Sequence, residues 1–345
     1  MVFRVSRAFA DDIAIDLGTA NTLVFVEERG IIIDEPSVVA IKARHGVREI
    51  LAVGQKAKAM LGRTPENIET IRPLRDGVIA DFVATEEMLR QFIKRAKSML
   101  GFRRPRIVIS VPAGATPVER RAVYETAVSA GARQVFMLEE AVAAAIGVGL
   151  PVDEPTGSMV VDIGGGTTDI AVLSLGGVVQ TRSIRIAGNA MDEAIIRHVR
   201  RRHHLLIGES NAERIKIAAG TAVMDPDENG PEIHISGRDL RMGRPKSAVL
   251  HPIDVAEALA DPIDDLAEFI QRSLEDLPPE ISTDIVERGI YLSGGGALLK
   301  RLDEVLERRI GIKFQVPAAP LHSVITGTAM MMRNLKEREH LLIKP

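Results

Sequence analysis

The sequence predicts an α/β protein of two lobes related by duplication, each lobe a mainly parallel sheet flanked by helices. Three observations lead there. The chain has 345 residues, 46% of them hydrophobic, enough for two lobes that each bury a core. Two segments follow one pattern: IAIDLGTANTLVFV, from Ile13 to Val26, and VVDIGGGTTDIAVLSL, from Val160 to Leu175. In each, a β-branched run ends in an aspartate, Gly and Thr make a tight turn, and an apolar strand returns. The two copies stand about one domain length apart, as a duplicated pair would. Elsewhere strands alternate with helical periodicity, which favours parallel pairing under helical layers.

In chain order, the first hairpin is followed by short strands (IIIDEPSVVAIK, EILAVG) and a Lys/Ala/Met helix from Gly30 to Pro73, a small insertion on the first lobe. Ala84 to Leu100 has the spacing of an amphipathic helix, RIVISV (Arg106 to Val111) that of a buried strand, and Pro117 to Ala130 that of a helix with Pro in its first turn. Val135 to Leu138 is a strand leading into the Ala-rich helix Glu140 to Gly147. After the second hairpin, Ala187 to about Pro252 is polar and closes in the hairpin-like PEIHISGRDLRMG, a second small insertion. Helix Ile253 to Leu274, strand Gly289 to Leu292 and helix Leu298 to Ile310 complete the lobe. The expected division is residues 1–150 and 151–345, with insertions at about 30–75 and 187–252. The last helix, at about 322–336, is expected to pack back on the first lobe.

Composition excludes several classes. A net charge of -3 with two Tyr, nine Phe and no Trp provides neither a phosphate-neutralising surface nor stacking platforms, so nucleic acid is not an expected partner. With no cysteine there are no disulfides or thiolate metal sites, as suits a reducing compartment. The apolar run of MVFRVSRAFADD is too short for a secretory signal, and no stretch is long enough to span a bilayer.

The chemistry lies in three glycine turns. Asp16-Leu17-Gly18-Thr19-Ala20-Asn21-Thr22 puts a carboxylate beside backbone N–H groups that can face a phosphate; taken alone, it equally describes an ordinary hairpin. Asp162-Ile163-Gly164-Gly165-Gly166-Thr167-Thr168-Asp169 repeats it with three glycines, which let backbone approach oxygen atoms closely. Leu292-Ser293-Gly294-Gly295-Gly296-Ala297 follows a strand and opens a helix, either a close-approach turn for a ligand or a tight strand-to-helix connection.

Together the three turns resemble the ATP-site pattern shared by actin, heat-shock chaperones and sugar kinases. Within that superfamily IAIDLGTANTLV, RPLRDGVIADF, GSMVVDIGGGTTDIAVLSL, LLIGESNAERIK and GIYLSGGGALL are similar to the MreB family, bacterial actin homologues of rod shape, from Asp11 to about Met332. The resemblance implies an actin-like two-lobed ATPase fold with ATP or ADP in the cleft, and a protein that polymerises head to tail. Asp16, Asp162 and Asp192 would hold Mg²⁺, mainly through water. Gly18, Thr19, Ala20 and Asn21 would line the β-phosphate, and Gly164, Gly165, Gly166 and Thr167 would cradle the γ-phosphate. Glu213 and Lys216 would flank ribose and adenine, with Gly294, Gly295 and Gly296 closing on the nucleotide. Glu140 would orient or deprotonate the attacking water and Thr167 would hold it.

Two departures stand out: Glu139-Glu140-Ala141 where the family has Asp-Glu-Pro, and Ala187-Gly188 where it has a glycine pair. A small-molecule kinase or a chaperone-type ATPase would use the same cleft. The first needs a base for a substrate hydroxyl and the second a peptide-binding domain after the lobes, and neither is legible here.

Partners implied by the family are the chain itself, a bitopic membrane scaffold and cell-wall elongation proteins, at a cytoplasmic location on the inner face of the membrane. For anionic lipid, two apolar-plus-basic elements are candidates: Met1 to Phe9, with Val2 and Phe3, and Lys97 to Arg104, with Met99, Leu100 and Phe102. Arg200-Arg201-Arg202-His203-His204 is expected to be a solvated helix face, and Met330-Met331-Met332 to be helix core.

Overall fold

The computed structural model describes residues 12–44, 47–100, 104–224 and 230–345. The candidate lipid residues Val2, Phe3 and Phe102 lie outside them. The chain divides into two compact units. One runs to Pro155 and also takes Leu173–Val179 and His322–Pro345; the other is Thr156–Val172 with Gln180–Leu321.

The first unit begins with β1 (Ile13–Leu17), β2 (Asn21–Val26) and β3 (Gly30–Pro36). A small three-stranded sheet follows from β4 (Val39–Arg44), β5 (Val47–Val53) and β6 (Ile68–Ile71), with the one-turn helix α1 (Gln55–Lys58) between the last two. A two-stranded ribbon, β7 (Leu74–Arg75) and β8 (Val78–Ile79), leads into α2 (Phe82–Ser98). β9 (Arg106–Val111), α3 (Pro117–Ser129), β10 (Gln134–Glu139) and α4 (Glu140–Gly147) then alternate.

The main sheet has the order β10-β9-β1-β2-β3. It is mixed, not mainly parallel: β1 pairs antiparallel with β2, and β2 with β3, while β1 with β9 and β9 with β10 are parallel. Tight turns can join only antiparallel neighbours, and the parallel pairs are those reached by helical crossovers. Gly30–Pro36 is thus the edge strand of the main sheet, and the small sheet begins after it.

The second unit repeats the plan. β11 (Ser158–Ile163), β12 (Thr168–Ser174) and β13 (Gly177–Ile184) are followed by α5 (Gly188–His203), β14 (Leu205–Leu206) and α6 (Glu209–Ala219). Next come β15 (Ile233–Asp239), β16 (Pro245–Leu250), α7 (Pro252–Glu275), α8 (Pro279–Arg288), β17 (Ile290–Ser293), α9 (Leu302–Ile310) and β18 (Phe314–Gln315). The main sheet order is β13-β12-β11-β17-β18, and β14-β15-β16 form a small sheet. The stretch from Ala187 onward is less polar in effect than its composition suggests: Met191, Ile195 and Val199 of α5 share one core with Met159, Val161 and Ile163 of β11. The expected helix from Leu298 is a 3₁₀ turn, Gly295–Leu298, and then α9, because Arg301 takes a left-handed conformation (φ 59°) that breaks the run.

The last helix, α10 (Ser323–Arg333), belongs to the first unit and packs on α4, β1 and β9. Strand alternation explains the two layers. Ile13, Ile15 and Leu17 face a core shared with Met88 and Phe92 of α2, while Ala14 packs with Ile325 and Ala329 of α10. Asp16 therefore shares the Ala14 face. Two of the three consecutive methionines, Met331 and Met332, are buried.

Candidate functional site

In the first unit, β1 ends at a buried carboxylate. Parallel register sets Asp16 beside Ser110 of β9, whose hydroxyl donates to Asp16 Oδ1 at 3.2 Å. One strand further, Leu138 stands level with Ser110, so Glu139 ends β10 and Glu140 opens α4 at the same edge of the sheet. Ligands of open α/β sheets bind at these carboxyl ends of the parallel strands. Glu140 is buried in the first turn of α4, where the helix dipole favours a negative charge.

The β1–β2 turn is held by hydroxyls. Ser37 donates to the Gly18 carbonyl at 2.7 Å, its backbone N–H donates to the Ala20 carbonyl at 2.9 Å, and its Oγ lies 2.9 Å from Thr22 Oγ1. A Cβ at Gly18 would stand 2.7 Å from the Asn21 carbonyl oxygen, so the turn closes only around glycine. Asn21 Nδ2 donates to Asp34 at 3.0 Å, so this side chain is turned to the neighbouring strand β3. Thr19 is buried in the turn.

What holds α4 is unusual. A Cβ at Gly327 of α10 would fall inside the Ala143 carbonyl, and one at Gly147 would fall inside the Ser323 carbonyl. The two helices cross backbone on backbone, with no side chain between them at these positions.

The second unit repeats the carboxylate and its serine. Asp162, the last residue but one of β11, stands level with Ser293 of β17, and the Ser293 hydroxyl donates to it. Burial pushes Asp162 up to about 7; the Ser293 hydroxyl opposes the rise, and the charge of Asp169 adds to it. Burial also raises Asp169, against hydroxyl donations from Ser183 and Thr167. Asp162 Oδ1 and Asp169 Oδ1 are buried without a hydrogen-bond partner among the described residues. Two such carboxylates, close enough that the charge of one raises the other, suit a hard cation or its waters.

Here the turn is held by backbone. Gly164 N–H donates to the Thr167 carbonyl at 2.9 Å. The first amides of α5 hold the loop from behind, Gly188 N–H on the Gly164 carbonyl at 3.1 Å and Asn189 N–H on the Gly165 carbonyl at 2.7 Å. These are helix N-terminal donors that α5, with Ala187 at its N-cap, leaves without a side-chain cap. A Cβ at Gly188 would stand 3.3 Å from the Gly164 carbonyl oxygen, so this glycine, retained where the family's pair is reduced to one, is the one the loop presses against.

Lys216 of α6 donates to the Gly188 carbonyl at 2.7 Å and pairs with Asp192 at 2.9 Å. Its ammonium is therefore engaged with α5, and Glu213, one turn earlier on α6, is half-buried. Gly294 (φ 78°) and Gly296 are required by packing, since a Cβ at either would enter Ile163, whereas at Gly295 the nearest atom would be a Leu321 methyl at 3.3 Å. The third turn is thus pressed onto the end of β11.

Sequence reasoning missed Ser110, Ser293 and the part played by Asp169. The available signal was that RIVISV and IYLS both carry a serine near the strand end, but which serine stands level with which aspartate is set by strand register. In the lipid candidates, Met99 is exposed while Leu100 packs against the core of the first unit. No helix among the described residues is long and apolar enough to cross a membrane.

The model of the MreB/Mbl protein family matches residues 10–340. Over 330 residues the chain is 53% identical to the cell shape-determining protein MreB of Escherichia coli K12, covering 95% of this chain and 94% of that one. The crystal structure of MreB5 of Spiroplasma citri bound to ADP matches with a TM-score of 0.88 at 34% identity, over 95% of this chain and 98% of that one. MamK in its double helical filament matches with a TM-score of 0.76 at 23% identity, over 93% and 99% of the two chains, a likeness of fold.

Proposed function

Since the chain belongs to the MreB/Mbl family and has the actin-like fold, we propose that it is an ATPase whose nucleotide state controls head-to-tail polymerisation. The observation that supports this reading most is the repeated strand-end carboxylate with its level serine, Asp16 with Ser110 and Asp162 with Ser293, each beside a glycine hairpin. The relative bound to ADP has also been solved with AMPPNP, an ATP analogue.

In this reading Gly18, Thr19, Ala20 and Asn21 line one phosphate and Gly164, Gly165, Gly166 and Thr167 the next, through backbone amides. Asp16, Asp162 and Asp192 hold Mg²⁺, which when bound neutralises charge on the phosphates. Lys216 keeps Asp192 oriented and, with Glu213, borders the nucleoside; Gly295 is the member of its turn whose nearest neighbour is a side-chain end, the Leu321 methyl, and not Ile163. Glu140 orients the attacking water or takes its proton. The Thr167 hydroxyl donates to Asp169, so its oxygen stays available to accept from that water.

An asymmetric protomer forms an open filament only through a heterologous contact, and the β4–β6 sheet is the surface we assign to it. Binding of the filament to anionic lipid through Met1 to Phe9 and the 97–104 segment, with Met99 as its exposed apolar side chain among those described, would place it on the inner membrane face beside a bitopic scaffold and the elongation machinery. Sedimentation with and without Mg-ATP tests the core of the proposal: the chain should pellet with nucleotide and stay soluble without it. A protein that remains monomeric with Mg-ATP at tens of micromolar, on lipid and off it, would refute it.

A further inference from the structure

Of the arginine-histidine run at the end of α5, Arg202 pairs with α7, and one histidine just before the run is buried. His198 is 5% exposed, yet neither ring nitrogen has a hydrogen-bond partner among the described residues. A buried imidazole without partners is uncommon enough to require an explanation. Around it stand Asp254 and Glu257, i and i+3 on the first turns of α7 and so on one helix face. One ligand atom from each of the three residues lies within 4.8 Å of the other two.

We propose that His198, Asp254 and Glu257 form a binding site for a divalent transition-metal ion that ties α5 to α7. One imidazole nitrogen with two carboxylates, completed by water, is a donor set suited to Zn²⁺, Co²⁺ or Ni²⁺ and poorly suited to Mg²⁺, which prefers oxygen alone. Burial lowers the pKa of His198 and so favours the neutral ring, the form that offers a lone pair; the Asp254 and Glu257 charges work against this, and Arg201 and Arg202 with it. Two carboxylates balance the charge of the ion. Tetrahedral ligands at about 2.0–2.1 Å from zinc stand about 3.4 Å apart, so the site closes by small side-chain rotations.

The positive charge now nearest the carboxylates is Arg202, with Nε 3.4 Å from Asp254 and Nη1 3.4 Å from Glu257. Its side chain is 57% exposed and can turn to solvent when an ion enters. Asp254 also accepts the His251 backbone N–H at 2.9 Å, which fixes its carboxylate as the helix cap and leaves the other oxygen to the site.

The test is calorimetric titration of the tag-free full chain with Zn²⁺ in excess Mg²⁺, with Co²⁺ absorption as a second readout of a nitrogen-containing site. The wild type should bind one equivalent. His198→Gln should weaken binding by at least the roughly 10- to 100-fold that loss of a supporting partner costs a metal site. Glu257→Gln, at an exposed position that does not threaten folding, should weaken it also, and Arg202→Ala should tighten it by removing the competing cation. Absence of Zn²⁺ binding by the wild type, unchanged affinity in both His198→Gln and Glu257→Gln, or weaker binding by Arg202→Ala would each overturn the proposal.

Discussion

Asp16 and Asp162 occupy equivalent places, each one residue from the end of the first strand of its sheet, level with a buried serine on the adjoining parallel strand. Their turns are secured differently. The Asp16 hairpin is fastened by the Ser37 and Thr22 hydroxyls, and the Asp162 hairpin by backbone amides of α5, with a second carboxylate, Asp169, behind it. The difference teaches that duplication preserved what strand register fixes and changed what loops supply. A turn anchored by side chains can carry one glycine and ordinary residues. A turn of three glycines has no side chains of its own, so its anchors come from the helix it leads to.

The largest effect should separate the units by chemistry. If the hydrolytic carboxylate is Glu140 in the first and not Asp169 in the second, Glu140→Ala should lower phosphate release about 10²- to 10⁴-fold while ATP still binds. Unchanged single-turnover hydrolysis in that variant would assign the base elsewhere.

Next is the acidity of Asp162. Its folded-state pKa, about 7, lies above its ordinary 3.8. The folded chain therefore retains a proton that the unfolded chain has lost, so the stability Asp162 contributes is complete below that lower value and is lost as pH rises through about 7. Without divalent cations Asp162→Asn should consequently raise stability at pH 8 by roughly 1–4 kcal/mol, an advantage that disappears in acid, while Mg-nucleotide affinity falls. Thermal melts in EDTA across pH measure this. An equal gain from Asp16→Asn would show that the extra carboxylate is not what distinguishes the units.

The smallest effect concerns the two serines. Ser110→Ala and Ser293→Ala should each cost about 0.5–1.5 kcal/mol in denaturant unfolding near pH 8. Ser293→Ala should also move the pH dependence attributed to Asp162 upward, because the lost hydroxyl was favouring the charged form. A pH profile that stays in place would break the analogy between the pairs.

The sequence carried the hairpins well because their signals are local: a β-branched run, an aspartate, a glycine turn. Arg106–Val111 and Glu140–Gly147 are a strand and a helix with the bounds that periodicity gives them. β13 and α8 went unread, the first because its apolar and polar residues do not alternate cleanly and the second because Pro278 and Pro279 look like loop. The mixed character of the sheets, the serine partners and the engagement of Lys216 with α5 all depend on which segments become neighbours, and no local pattern encodes that.

The crossing of α4 and α10 at Gly147 and Gly327 makes the two helices behave as a machined joint. A contact cushioned by leucines can absorb a displacement by rotamer changes; one of backbone against backbone has no such compliance. Glu140 sits seven residues before Gly147 on the same helix, about 10 Å along its axis, so its carboxylate inherits the seating of the C-terminal helix. A single methyl at Gly327 would act as a shim under that joint, and tilting the carboxylate by about 1 Å is enough to cost on the order of 10²-fold in rate. The sequence of the last helix is thereby part of the tolerance to which the Glu140 carboxylate is set, though no atom of it need touch a ligand.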